Sequence, residues 1–151
     1  MKGLWVLATV VLIWAVASTV AASYYYMQYD KYYGFYKDLS KNLGEVSISV
    51  NTLIDYGNGT KTWYNNTILP IGASVLNATI KVAMLNYSVS SYGAFVNSIN
   101  GVWNNKDKNL WWLWYYWDSA ELKWILGPVA CNSYTLNDGS IVGWNYTESP
   151  Y

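Results

Sequence analysis

The chain has 151 residues, with nine lysines against nine acids, no arginine and no histidine. Balanced charge without arginine excludes nucleic acid as a partner, because recognising phosphate and guanine needs a basic surface. The usual base of Ser or Cys nucleophiles and the commonest metal ligand are both missing, and with one cysteine, Cys131, no disulfide can form within the chain.

"GLWVLATVVLIWAVASTVAA", residues 3–22, carries no charge. As a helix it spans about 30 Å, the thickness of a bilayer core. Lys2 precedes it and Tyr24, Tyr25 and Tyr26 follow it. Lysine inside and an aromatic belt outside orient it with the N-terminus cytoplasmic and the rest of the chain extracellular. Residues 1–23 are thus expected to be a retained, single-pass anchor in the cell membrane, with lipid as a partner. Two alternatives stay open. Small residues at "AVA" (ending at Ala17) and "VAA" (ending at Ala22) would suit a cleaved signal, although the apolar run exceeds the usual signal core of roughly 7–15 residues. A pilin-type cut near Lys2-Gly3 would keep the helix for filament packing.

Residues 24–45 are expected to continue as a helical stalk. Tyr25, Tyr29, Tyr32, Tyr36, Leu39, Leu43 and Val46 alternate spacings of four and three, the heptad seam of helices that pack on helices. Lys31, Lys37, Asp38 and Lys41 lie off the seam, but so do Tyr24, Tyr26, Tyr33 and Phe35. A partner-facing seam and an accidental match in a tyrosine-rich stretch are therefore both open. The partner would be a second copy or another membrane or surface protein. Gly34 weakens the helix and Gly44 marks its expected end.

Residues 46–151 are expected to form an extracellular head. "VSISVNTLIDYG" alternates Val46, Ile48 and Val50 with Ser47, Ser49 and Asn51, a half-buried strand. "YGNGTK" is a hairpin turn, with Asn58-Gly59 suited to positive φ. "TKTWYNNTILPIG" is the return strand. "ASVLNATIKVAML" is a helix capped by Ser74, with Val75, Leu76, Thr79, Val82 and Ala83 on one face. "GAFVNSINGV" is a third strand and "VWNNKDKN" a polar loop. "LWWLWYYW", residues 110–117, is a fourth strand. A turn at Asp118–Glu121 leads to "LKWILGPVA". "YTLNDGSIVGWNYT" closes the head as a hairpin around Asn137-Asp138-Gly139.

Two strands, a crossing helix and a completing sheet make an α+β, β-grasp-like plan, a mostly antiparallel sheet packed on one helix. The stretches "IDYGNGTKTWYNNTILPIGASVLNAT", "FVNSINGV", "WLWYYW" and "YTLNDGSIVGWNYT" resemble the C-terminal-domain-like family of transcobalamin, over residues 46–147. "SINGV" and the Leu136–Tyr146 hairpin are the most specific parts. In the vitamin carriers this module caps cobalamin against a helical barrel. That barrel is absent here, so the resemblance implies the fold and assigns no corrinoid residue. The uncharged polar composition, fifteen Asn, fourteen Ser, nine Thr and sixteen Tyr, resembles that of outer-surface proteins of heat- and acid-adapted archaea.

The strand 110–117 places Leu110, Trp112, Trp114 and Tyr116 on one face and Trp111, Leu113, Tyr115 and Trp117 on the other. Both faces are apolar. Three explanations are open: the polar connections fold over the second face, a protein partner covers it, or a flat ligand such as a sugar or quinone stacks there. The candidate interaction surface is accordingly Trp111, Trp112, Trp114, Trp117, Tyr115 and Tyr116.

Asp118 and Glu121 belong to a solvated turn rather than to a glycosidase pair. Gly57-x-Gly59 lacks the rest of a nucleotide loop. No cluster has metal-ligand spacing, no catalytic residue stands out and no cofactor is implied. Cys131 is either a small buried hydrophobe or an intermolecular bridge. Asn58, Asn65, Asn77, Asn86 and Asn145 each begin an Asn-x-Ser/Thr sequon. Asn77 falls on the expected helix, which leaves Asn58, Asn65, Asn86 and Asn145 as candidate glycan carriers. The function that follows is a non-enzymatic interaction or structural protein displayed at the surface, of which an accessory subunit of a membrane or filament assembly is one form. The alternative is an extracellular domain that binds a small aromatic or corrinoid-like ligand.

Overall fold

The computed structural model describes residues 2–150. The chain is α+β and divides between Glu45 and Val46 into two units. The first is one helix, α1 (Lys2–Val46), with no buried residue. At 1.5 Å per residue it is about 68 Å long. It is long and apolar enough to cross a membrane, judged by length and composition. Every hydroxyl between residues 3 and 22 donates back into the helix: Thr9 Oγ1 to the Trp5 carbonyl, and Ser18 and Thr19 to that of Ala15. Such local bonds suit a segment with no water around it. The helix runs through Gly34 and two residues past Gly44. Tyr25, Tyr29, Tyr32, Tyr36, Leu39 and Leu43 are all exposed, and so are Tyr24, Tyr26, Tyr33 and Phe35. Tyr29 of the seam stacks on Tyr33 outside it, with ring centroids 6.1 Å apart.

The second unit holds eight strands and one helix. β1 (Ser47–Asp55) and β2 (Lys61–Pro70) form a hairpin, α2 (Val75–Val82) follows, and β3 (Leu85–Ser90), β4 (Gly93–Ile99) and β5 (Val102–Trp103) come next. β6 (Leu110–Asp118), β7 (Lys123–Leu126) and β8 (Ile141–Glu148) complete the chain. Five strands make a mixed sheet in the order β2-β1-β8-β6-β7. β1 and β8 run parallel at its centre, and the other pairs are antiparallel. This is the β-grasp arrangement: the last strand inserts beside the first, and a helix crosses one face. β1 alternates half-buried and buried side chains along its whole length, as its period of two requires. Ser74 caps α2 in a reciprocal box with Asn77, which satisfies two backbone N–H groups that the first helical turn leaves unpaired. Val75, Leu76, Ala78 and Thr79 are buried against the sheet.

Three expectations need correction. A second, three-stranded sheet, β3-β4-β5, is present. Its edge strand β3 is not among the expected elements, although "LNYSVS" alternates Leu85, Tyr87 and Val89 with Asn86, Ser88 and Ser90; the strand is almost wholly exposed. The segment 134–147 is not a hairpin. Both edges of β8 are taken by β1 and β6, so the turn at 137–139 docks on β1 instead. Asp138 Oδ1 accepts the Ser49 N–H at 2.7 Å, and the Gly139 N–H donates to the Ser49 carbonyl at 2.8 Å. In the first hairpin the positive φ belongs to Gly57 and Gly59 rather than Asn58. Asn58 Oδ1 accepts the Thr60 N–H. Gly57 is required twice over, since a Cβ there would lie 2.1 Å from the Tyr146 carbonyl oxygen.

Candidate functional site

Strand β6 sits between β8 and β7, and its two faces meet different surroundings. Trp112 and Trp114 are 4% and 7% exposed. They are core residues rather than members of an interaction surface, because α2 and the second sheet lie on their side. Their indole N–H groups donate to the Val102 and Val129 carbonyls at 2.8 and 3.0 Å. Tyr116 shares this face. It packs on the core and stacks on Tyr134 with centroids 5.6 Å apart, so it too leaves the candidate surface. Burial, and then Tyr116 beside it, pushes the Tyr134 phenol above its ordinary pKa.

Trp111, Leu113, Tyr115 and Trp117 point to the helix-free face and are half-buried. Both polar connections are tight turns closed on themselves, by the Asn105–Leu110 bridge in one and by Asp118 in the other. Asp118 Oδ1 collects the Ala120 and Glu121 N–H groups into a tight turn, and Glu121 pairs with Lys123. In the other connection Asn109 Oδ1 accepts the Trp111 indole N–H at 2.8 Å. The burial comes from neighbouring rings. Phe95 meets Trp111 edge-on at 6.1 Å, and Trp117 meets Trp124 edge-on at 5.6 Å.

The strand register shows what joins them. Leu126, Tyr115, Gly143, Leu53 and Trp63 form one row across the sheet. Leu113, Asn145, Asp55 and Lys61 form the next. β7 and β2 are opposite edges, about 19 Å apart if the sheet were flat. Yet the rings of Trp124 and Trp63 approach to 6.3 Å. The sheet curls, and both indoles lean inward over the centre. Gly143 permits this: a Cβ there would come within 3.2 Å of Trp124 Cζ3 and 3.4 Å of Leu53 Cβ. Beside the paired rings lies a hollow of about 270 Å³, lined by Leu53, Tyr115, Trp124 and Gly143 with Asp55, Lys61 and Asn145.

Asp55 and Lys61 form an ion pair at 2.9 Å, with the carboxylate side chain 17% exposed. The second carboxylate oxygen accepts the Gly57 N–H at 3.0 Å. Burial raises the Asp55 pKa, but the Lys61 and Gly57 hydrogen bonds outweigh it and hold the group below its ordinary value. Trp63, Trp124, Gly143, Asp55 and Lys61 were not among the residues singled out from sequence. The glycine within "IVGWNYT" was the available signal, since a mid-strand glycine marks a close approach.

The other candidates are dispersed. Cys131 is 2% exposed, and burial pushes its thiol up to about 11. It is therefore a buried hydrophobe and not a bridge. Asn58, Asn65 and Asn86 are exposed, whereas Asn145 is half-buried on the central strand β8. Asn77 is exposed, with its side chain engaged in the α2 cap. Among the described residues no three His, Cys, Asp or Glu gather as metal ligands.

No known protein family and no curated protein matches the chain. The fold does have solved counterparts. Haptocorrin, in a crystal structure with Cbi, matches at a TM-score of 0.54 and 17% identity over 66% of this chain. The match takes up 25% of haptocorrin's own length. A Ruminococcus gnavus protein, provisionally called metal binding, matches at a TM-score of 0.51 and 13% identity, covering 68% of this chain and 98% of its own. At these identities the likeness is one of fold.

Proposed function

We propose that the chain is a membrane-anchored, non-enzymatic binding protein. Its head is a relative of the transcobalamin C-terminal-domain-like family, held outside the cell by α1. The helix-free sheet face is its working surface, and other membrane or surface proteins are its partners. The 25–43 seam of α1 serves a neighbouring helix, either a second copy or another subunit. One observation carries the reading: Trp111, Tyr115, Trp117, Trp124 and Trp63 share the sheet face opposite α2, where Phe95 of β4 reaches Trp111. A small soluble domain rarely leaves such a patch without a use, and aromatic side chains are the residues that dominate binding hot spots. Neither Cbi nor metal is carried over to this chain. The match covers a quarter of haptocorrin, and no group of metal ligands offers itself among the described residues.

The test is fractionation followed by purification of the full chain from its native membrane. We expect the protein to resist carbonate washing and to keep the segment before Ser23. We expect Trp111→Ala with Trp117→Ala to lose the proteins that accompany wild type, while the variant stays folded. A mature N-terminus at Ser23 would overturn the anchor, and unchanged companions would overturn the surface.

A further inference from the structure

We infer that the hollow at the centre of the helix-free face is a saccharide site for one neutral pyranose unit of a glycan. The inference deepens the proposed working surface and rests on it. Size comes first. About 270 Å³ is just below the range of roughly 300–1,000 Å³ that accommodates drug-sized ligands, so the hollow itself takes a single ring.

Chemistry narrows the class. One part of the lining is apolar and partly aromatic, with Leu53, Tyr115 and Trp124, and Gly143 at their centre. The other part is Asp55, Lys61 and Asn145, which the register sets side by side on β1, β2 and β8. These offer a carboxylate acceptor, an ammonium donor and an amide that does both. A matching ligand has one apolar face and a rim of groups that both donate and accept. A pyranose has this form: C–H groups on a face to lie against a ring's negative π-surface, and hydroxyls around its edge.

Three alternatives fit less well. Asp55 and Lys61 neutralise each other at 2.9 Å, so neither an anion nor a cation is selected. A hydrocarbon would shield the Asp55–Lys61 pair and the Asn145 amide from water without offering them a hydrogen bond, at a cost. A flat aromatic could stack on Trp124, but a plain ring system brings few groups that answer Asp55, Lys61 and Asn145 around its edge.

The site's rigidity favours the same reading. Asp55 is fixed by Lys61 and by the Gly57 N–H, and Trp124 by its contacts with Trp63 and Trp117. A preformed site does not spend binding energy on ordering its own side chains.

The experiment uses the full chain in a polyoxyethylene detergent, which carries no sugar headgroup. Glucose, mannose, galactose, N-acetylglucosamine and their trisaccharides are titrated, with indole fluorescence and saturation-transfer NMR as readouts. We expect at least one to bind saturably. Asp55→Asn should weaken it about tenfold, the loss typical of a hydrogen bond to a charged group. Gly143→Ala, which keeps every polar group but lets a methyl press on Trp124 and Leu53, should weaken it comparably. Tyr92→Ala, in the exposed turn between β3 and β4, should leave sugar binding unchanged. Absence of saturable binding to every sugar overturns the inference, as does binding indifferent to both Asp55→Asn and Gly143→Ala. Loss of companion proteins on Trp111→Ala with Trp117→Ala is read separately. If that loss persists while no sugar binds, the working surface stands and the saccharide site falls.

Discussion

The two faces of the five-stranded sheet are made of the same kind of residue and do opposite things. On the helix side, Trp112, Trp114 and Trp144 are buried and each indole N–H has a partner: the Val102 carbonyl, the Val129 carbonyl and Thr79 Oγ1. Trp114 lies so close on Gly127 that a Cβ there would sit 2.0 Å from its ring. On the other side, Trp124 meets both Trp63 and Trp117, Trp111 meets Phe95, and these four tryptophans retain access to water. An aromatic side chain serves as core where a second layer covers it and its polar atom is satisfied. Without that layer it becomes a surface available for binding.

The comparison breaks most readily at tryptophan. Trp112→Ala or Trp114→Ala should cost about 3–5 kcal/mol, the loss typical of a large core side chain, and should lower the melting temperature of the full chain by more than any other change considered. Trp111→Ala and Trp117→Ala should each cost about 1 kcal/mol or less. Denaturant unfolding of the four variants measures the difference. Equal losses at all four positions would show that the faces are alike.

A second change sharpens the core side. Thr52 is fully buried, and its Oγ1 has no hydrogen-bond partner. A buried unpaired hydroxyl carries a desolvation penalty of about 1–3 kcal/mol. Thr52→Val should therefore stabilise the head by about 1 kcal/mol, seen as a melting temperature raised by roughly 4 °C or more. A lower melting temperature would mean that this hydroxyl is satisfied in solution.

The smallest effect lies on the open face. The Asp55 carboxyl is held below its unfolded value, so the stability it contributes is present above about pH 4, the unfolded carboxyl's range. That stability is lost as pH falls through the lower folded value. Asp55→Asn should lower the neutral plateau slightly and flatten the acid limb, so that the two melting curves converge at low pH. An identical acid limb in the variant would show that the Lys61 pair contributes nothing.

Much of this was legible in local pattern. Twenty uncharged residues dictate an apolar helix, because backbone polarity must be satisfied within the segment when no water is present. The alternation of Ile48 and Val50 with serine and asparagine dictates β1, and Ser74 dictates where α2 begins. The β-grasp plan followed from the order of these elements. What local pattern could not supply is everything that depends on which surfaces meet. Alternation along "LWWLWYYW" separates odd from even residues but cannot say which set is covered, since both sets are apolar and the covering layer comes from residues 75–82 and 85–103. The hollow was out of reach for the same reason. Asp55, Lys61, Trp63, Trp124 and Gly143 belong to four strands, and only the pairing register and the curl of the sheet bring them together.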